Sequence, residues 1–320
     1  MKAAVLHQSG KSPCCEEFAE PAAEKNEVLV EVLAASLKAV DRQLAAGTHF
    51  ASPREFPVIC GTDGVGRLAD GKRVFFGGPR RPFGAMAQRT VAPGAFCFPV
   101  PDGLDDATAA ALPNPGVSAW LVLTQRAKVA PGEAVLILGA TGVTGKLAVQ
   151  LAKQLGAGRV VACGRNAQVL EKLRQLGADA TIQLNQSDDD LKNAFTKEAG
   201  ESGFQVVIDY VWGRPTELLL AALTRNEFAL ANSETRLVQV GESAGPTISL
   251  PAAVLRSTAL TILGTAGIPS REVLVAAMNQ VLDWGASGKL QVETESVPLA
   301  DIEQAWQRTE TSARRLVVIP

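Results

Sequence analysis

Residues Val135 to Gly145 read Val-Leu-Ile-Leu-Gly-Ala-Thr-Gly-Val-Thr-Gly, an apolar run followed by three glycines spaced three apart. Beyond them Leu147, Leu151 and Leu155 recur every four residues, with Ala148 and Ala152 beside them, until Gly156 closes the run. That order predicts a buried strand, a tight turn and a helix that lays one face on a sheet. Gly139 permits the turn, Gly142 lets backbone amides approach a ligand with no Cβ in the way, and Gly145 lets the helix sit close to the strand. The helix N-terminus then offers unpaired amides and the positive end of its dipole to an anion. The segment Gly139, Ala140, Thr141, Gly142, Val143, Thr144 and Gly145 is thus a candidate pyrophosphate cradle. Its spacing is G-x-x-G-x-x-G and not the stricter G-x-G-x-x-G, so the motif alone also allows a glycine-rich connection without a ligand.

What surrounds the motif narrows the choice. Short apolar strands are expected at Ala134–Leu138, Arg159–Cys163, Ala180–Leu184, Val206–Tyr210, Leu237–Gly241 and Leu260–Gly264, with helix-length connections such as Gln168–Leu176 between them. Six strands at that rhythm call for a parallel, doubly wound sheet of βαβ units. The region before it is rich in Gly and Pro, with β-type runs at Val28–Leu33, Arg73–Phe76 and Phe96–Val100. After Gly267 a helix (Arg271–Trp284), a strand-like stretch, a helix near Leu299–Arg308 and a final strand (Arg315–Ile319) do not extend the series, and are expected to fold back on the N-terminal part. The expected division is 1–112 for a β domain, 113–266 for a dinucleotide-binding domain and 267–320 for the return.

Composition excludes several partners. Lys and Arg number 31 against 33 Asp and Glu, a net charge of −2, so no global field draws the chain to nucleic acid or an anionic membrane. Apolar runs such as Leu218–Leu223 fall far short of the roughly 20 residues that span a bilayer. The N-terminus lacks the apolar stretch of a secretory signal, and the five cysteines are scattered with no C-x-x-C pair. A cytoplasmic protein with packed, reduced thiols is expected.

Dinucleotide specificity is read at the end of the second strand, where NAD-binding folds place an acid for the ribose hydroxyls. Gly164-Arg165-Asn166 stands there instead. With no carboxylate to repel a 2′-phosphate and a guanidinium to pair with it, NADPH is the expected cofactor; the alternative is that Arg165 is an ordinary solvated charge. Ligands of doubly wound sheets bind beyond the carboxyl ends of the strands, which adds Gly241, Gly264 and Thr265 as candidate contacts.

Six segments, in this order, resemble the medium-chain dehydrogenase/reductase superfamily, in particular its zinc-free quinone-reductase branch. They are Ser36-Leu-Lys-Ala-Val-Asp41 with Gly47, Pro57-Val-Ile-Cys-Gly-Thr-Asp-Gly-Val-Gly66, Ala111-Leu-Pro-Asn-Pro-Gly-Val-Ser-Ala-Trp120, the glycine turn, Val206-Val-Ile-Asp209 and Arg236-Leu-Val-Gln-Val-Gly241. The resemblance implies an N-terminal GroES-like β-barrel catalytic domain, a Rossmann domain and a C-terminus that returns to the catalytic domain. It places Asn114 and Ser118 beneath the nicotinamide. The positions that hold catalytic zinc in metal-dependent members look like Lys38, Thr62 and Asn114 here, and an ammonium, a hydroxyl and an amide cannot make a tetrahedral zinc site. A chain without metal is expected, which leaves hydride transfer to a strong acceptor: a quinone or an alkene conjugated to a carbonyl.

The resemblance also sets Lys38 near the nicotinamide, where an ammonium binds a developing oxyanion or donates a proton; read without the family it is a solvated surface residue. His49, two residues after Gly47, stands where the family often has a pocket tyrosine. Asp41 and Asp63 match acidic positions and are expected to organise the site through hydrogen bonds. Two rivals remain at this stage: an NADPH-binding protein that has lost turnover, and a short-chain reductase or epimerase, which the late position of Gly139 and the absence of a Tyr-x-x-x-Lys pair oppose. The apolar sixth strand at the sheet edge suggests a homodimer.

Overall fold

The computed structural model describes residues 1–224, 234–265, 267, 269–308 and 314–320; the domain boundary expected at 266 lies outside them. The chain forms two compact units, Met1–Asn114 with Met278–Pro320, and Pro115–Ala277.

The first unit opens with β1 (Lys2–Leu6), β2 (Cys14–Glu17), β3 (Glu27–Ser36), α1 (Ala39–Ala46), β4 (Val58–Ile59), β5 (Asp63–Arg67), β6 (Arg73–Gly77), β7 (Arg89–Pro93), β8 (Cys97–Pro99) and α2 (Asp106–Ala111). β1 pairs antiparallel with β2 and β4, and the long β3 pairs antiparallel with β5 and β7. The expected strands Val28–Leu33 and Arg73–Phe76 fall within β3 and β6. The run expected at Phe96–Val100 is shorter, because Gly94–Phe96 closes into a 3-10 turn and leaves only Cys97–Pro99 extended.

The second unit holds most of α3 (Pro113–Leu121), with a π-helical turn at Val122–Arg126, then β9 (Ala134–Leu138), α4 (Val143–Gln154), β10 (Arg159–Gly164), α5 (Ala167–Gln175), β11 (Ala180–Gln183), α6 (Asp188–Ala199), β12 (Val206–Asp209), α7 (Gly213–Leu223), β13 (Thr235–Gln239), α8 (Ala252–Ser257) and β14 (Leu260–Leu263). All six strands are parallel, in the order β11-β10-β9-β12-β13-β14. Leu136, Ile137 and Leu138 are fully buried, as a strand covered on both faces requires. Leu147 and Leu151, the stripe read from the sequence, are equally buried on α4. The strand order reverses beside β9, so the glycine turn sits at the topological switch point of the sheet. The strand expected at Arg159–Cys163 runs one residue further, to Gly164, and those expected at Ala180–Leu184, Val206–Tyr210 and Leu260–Gly264 each end one residue earlier. The strand expected at Leu237–Gly241 begins at Thr235 and ends at Gln239, because the amides of Val240 and Gly241 turn to the carbonyl of Asp209.

The chain then runs through α9 (Arg271–Ala286), β15 (Thr294–Pro298), α10 (Ile302–Gln307) and β16 (Arg315–Ile319). β16 pairs antiparallel with β3, setting Val317 opposite Ser36, and it joins a sheet of order β15-β16-β3-β5-β6-β8. The C-terminal return is therefore part of the first unit's core, where Leu316 and Val318 pack with Val30, Val32 and Leu37.

Gly145 fixes the packing of α4 on the turn. A Cβ there would lie 2.3 Å from the Gly139 carbonyl oxygen and 2.7 Å from Ala140 Cα. Gly145→Ala is expected to destabilise the fold by about 2 kcal/mol and lower the melting temperature by about 4 °C or more. Gly77→Ala, where nothing lies within 4 Å of the added carbon, serves as the control and should melt like the parent. Equal melting of both variants would contradict the close approach.

Candidate functional site

In the first unit, β3 ends at Ser36, Leu37 turns inward, and Lys38 caps the start of α1. The C-terminal return holds that junction from behind: the Leu37 amide donates to Leu316 O at 2.9 Å and Arg315 Nη1 donates to Leu37 O at 3.0 Å. Lys38 is 2% exposed, Asp41 2% and Asp63 4%. Its solvated-surface reading is thereby corrected: the side chain turns under its own helix. Lys38 Nζ donates to Ser36 O at 3.0 Å and to Asp63 Oδ1 at 3.0 Å, and lies 3.1 Å from Asp41 Oδ2. Those partners use all three ammonium hydrogens.

The two carboxylates gather the rest. Asp41 accepts from the Lys38 amide at 2.9 Å and from the Thr62 amide and hydroxyl, both at 3.1 Å. Asp63 accepts from Asn114 Nδ2 at 3.1 Å. Lys38, Thr62 and Asn114, far apart in sequence, thus meet around Asp41 and Asp63. Burial alone would lower the Lys38 pKa, but the adjacent Asp41 and Asp63 charges outweigh it and hold the ammonium above its ordinary value. Burial pushes Asp63 up from the usual carboxylate range, against the opposing pull of Lys38. Asp41 and Asp63, expected to organise the site through hydrogen bonds, are the acceptors that these groups share. Asn114, expected under the cofactor, has its amide on Asp63. Four residues further along the same helix, Ser118 is half-buried.

His49 lies apart from this network. Its Nδ1 accepts from the Ala51 amide at 3.1 Å, and its ring stacks on Phe50 with centroids 4.3 Å apart. Accepting at Nδ1 puts the proton of the neutral ring on Nε2.

In the second unit the turn is tied to the strand beside it. The amides of Gly139 and Ala140 donate to Cys163 O at 2.9 and 2.8 Å. Gly139 has φ +83°, and a Cβ there would strike Val211 Cγ1 at 2.9 Å. Thr141 packs over Gly164, whose missing Cβ would stand 2.3 Å from Thr141 Cγ2. Helices α2, α5 and α6 are capped by the side chains of Asp105, Asn166 and Ser187. Gly142 offers α4 no such cap, so the amides of Val143, Thr144 and Gly145 have no side-chain acceptor at the cap. The structure therefore brings Gly139–Gly145, Gly164 and Arg165 to one end of the parallel sheet. Arg165 is exposed. Asn166 is placed there too, but its Oδ1 is engaged by the Val169 amide at 3.2 Å as the α5 cap.

Sequence reasoning gave little weight to Asp209. It is fully buried, and Oδ1 accepts from the Val211 and Trp212 amides at 2.9 and 2.8 Å while Oδ2 accepts from Thr216 Oγ1 at 2.5 Å. This brace holds the β12–α7 turn against Gly139 and against Gly241, where a Cβ would be 2.7 Å from Tyr210 O. The only sequence signal was an acid closing a buried strand. Gly264 and Thr265 are exposed beyond β14, three strands from β9 in the sheet order and so about 14 Å across it.

A family model described as "Zinc-binding dehydrogenase" matches residues 143–284. Quinone oxidoreductase-like protein 2 of Bos taurus is 30% identical over 235 residues, 72% of this chain and 63% of that protein. The 2-methylene-furan-3-one reductase of Solanum lycopersicum is 30% identical over 195 residues, 55% of this chain and 50% of that protein. The chain thus spans less than two thirds of these curated relatives. The quinone oxidoreductase of Thermus thermophilus, whose structure is known with and without NADPH, superimposes with a TM-score of 0.81 at 27% identity over all of both chains. With one parallel sheet in the order of a dinucleotide fold, a mixed sheet completed by the C-terminus and these likenesses together, the chain is similar in sequence and fold to the medium-chain dehydrogenase/reductase superfamily, in particular to its quinone oxidoreductase members.

Proposed function

We propose that the chain is an NADPH-dependent reductase that delivers a hydride to a quinone or to an alkene conjugated to a carbonyl. The observation that carries the reading is the turn Gly139–Gly145: closely packed at its glycines, uncapped at α4 and placed at the switch point of the sheet. A pyrophosphate fits such a cradle, since the α4 amides and dipole face it at no cost in displaced side chains. Arg165, exposed at the end of β10 with no acid beside it in the Gly164-Arg165-Asn166 segment, is the partner for a 2′-phosphate. The bound dinucleotide supplies the hydride. Gly241, Gly264 and Thr265, with Ser118, complete the proposed contacts. The relatives named quinone oxidoreductase-like protein 2 and 2-methylene-furan-3-one reductase support the substrate class.

The family model's description implies zinc, and the residues at the family's metal positions do not fit it. Lys38 is a cation, and the Thr62 hydroxyl and Asn114 amide bond to Asp41 and Asp63. In this reading the network takes no metal. Lys38, with its hydrogens already engaged, is a positioning residue that neutralises Asp41 and Asp63 and keeps the β3–α1 junction in place. His49, with its proton on Nε2, is the better placed of the candidates to donate a hydrogen bond to a substrate carbonyl on which charge develops. In this reading the first unit, Met1–Asn114 with Met278–Pro320, is the catalytic part, a GroES-like barrel, and the second, Pro115–Ala277, holds the cofactor. The exposed edge of β14, with Ile262 38% exposed, suits pairing with a second copy, so the reading includes a homodimer, acting in the cytoplasm.

Two measurements test this. A screen of NADPH consumption over quinones, alkenals and simple aldehydes should show turnover with the first two groups and little with saturated aldehydes; saturable NADPH binding with no turnover on any of them would make the chain a binding protein instead. Titration with both dinucleotides should show at least tenfold tighter binding of NADPH, a preference worth about 1.4 kcal/mol, and Arg165→Asp should reverse it. Equal affinities in the parent would remove Arg165 from the assignment.

A further inference from the structure

We infer that His7, Cys14 and Glu16 form a metal site on the β1–β2 hairpin, separate from the Lys38 network, that takes a zinc-like divalent cation. Cys14 and Glu16, two apart on β2, share one face of the strand, and the antiparallel register sets Cys14 opposite Val5, two residues before His7. The turn between the strands brings His7 back over β2. His7 Nε2 lies 2.7 Å from Glu16 Oε1, and Cys14 Sγ lies 3.6 Å from Glu16 Oε2. A nitrogen, a sulfur and a carboxylate oxygen thus fall within 4.8 Å of one another. Metal–ligand bonds of about 2.0–2.3 Å in a tetrahedron put ligand atoms about 3.3–3.8 Å apart, so closing the site takes side-chain rotation of about an ångström and no movement of the strands.

The donor set also selects the ion. Thiolate and imidazole favour zinc over magnesium or calcium, which prefer all-oxygen shells. Cys14 thiolate, Glu16 carboxylate and neutral His7 give two negative charges against a divalent cation, so the filled site is neutral, with water as the fourth ligand. Burial, helped by Glu16, raises the Cys14 pKa, and Cys14 Sγ lies 3.8 Å from Val5 O as well as 3.6 Å from Glu16 Oε2. On binding, the Cys14 S–H bond breaks, its proton passes to the buffer and an S–metal bond forms, with no change of oxidation state. The His7 side chain is 57% exposed and that of Glu16 40% exposed, so the ion has access. What it displaces is one exposed His–Glu contact of small net worth. The sequence concealed the site because its ligands follow no C-x-x-C or H-x-x-H spacing.

Cobalt(II) titrated alone into the full-length, chelator-washed protein reads the thiolate directly. The expected result is one equivalent bound, a thiolate-to-cobalt charge-transfer band and release of one proton per metal. Zinc should then bleach the band by competition. Cys14→Ser should abolish the band, His7→Ala should weaken binding at least tenfold, and Cys15→Ser should leave both unchanged. A band that survives Cys14→Ser, or no stoichiometric binding at micromolar metal, would overturn the site.

Discussion

An ammonium buried between two carboxylates is the constraint on which the first unit's arrangement depends. Asp41 and Asp63 are almost fully enclosed, and two buried negative charges cannot stand near each other without a compensating cation. Lys38 supplies it from the N-cap position of α1, where its own amide donates to Asp41. Because Ser36, Thr62 and Asn114 bond into the same group, the end of β3, the start of β5 and the start of α3 are fixed to one another through side chains. The C-terminal strand belongs to the same system, since Arg315 and Leu316 hold the Leu37 backbone that delivers Lys38.

The second unit depends on a different device, the removal of side chains. Gly139, Gly145 and Gly164 each stand where a Cβ would collide with backbone or with a neighbouring side chain. Capping at α4 is left out where α5 and α6 have it. An anion suits the uncapped end of α4, and Asp209 stiffens the neighbouring β12–α7 turn through three hydrogen bonds.

Much of this was legible in the sequence. The six-strand rhythm came from apolar runs that must be continuous because both faces are covered, and Ala134–Leu138 and Arg315–Ile319 match their strands residue for residue. The glycine turn was legible because sterics leave few alternatives at a strand–helix junction. Ends of elements were less so: β13 stops early because Val240 and Gly241 bond to Asp209 O, a partner 31 or more residues away in the chain. The Lys38 network was legible only in part. A charged residue in a helix cap looks exposed by default, and nothing local announces that Asp63, 25 residues on, will be folded against it. The same holds for His7 and Glu16, which meet only because a hairpin register brings them together.

If the ammonium is held by its carboxylates, its loss and theirs must be coupled. The most direct measurement is a double-mutant cycle on unfolding free energy with Lys38→Met, Asp63→Asn and the pair. Removing one partner of a buried charge pair costs about 3–5 kcal/mol, so each single variant should be strongly destabilised, and the double variant should recover at least about 1.5 kcal/mol of the sum. Additive losses, with coupling under about 0.5 kcal/mol, would contradict the account and return Lys38 to the role of an independent side chain.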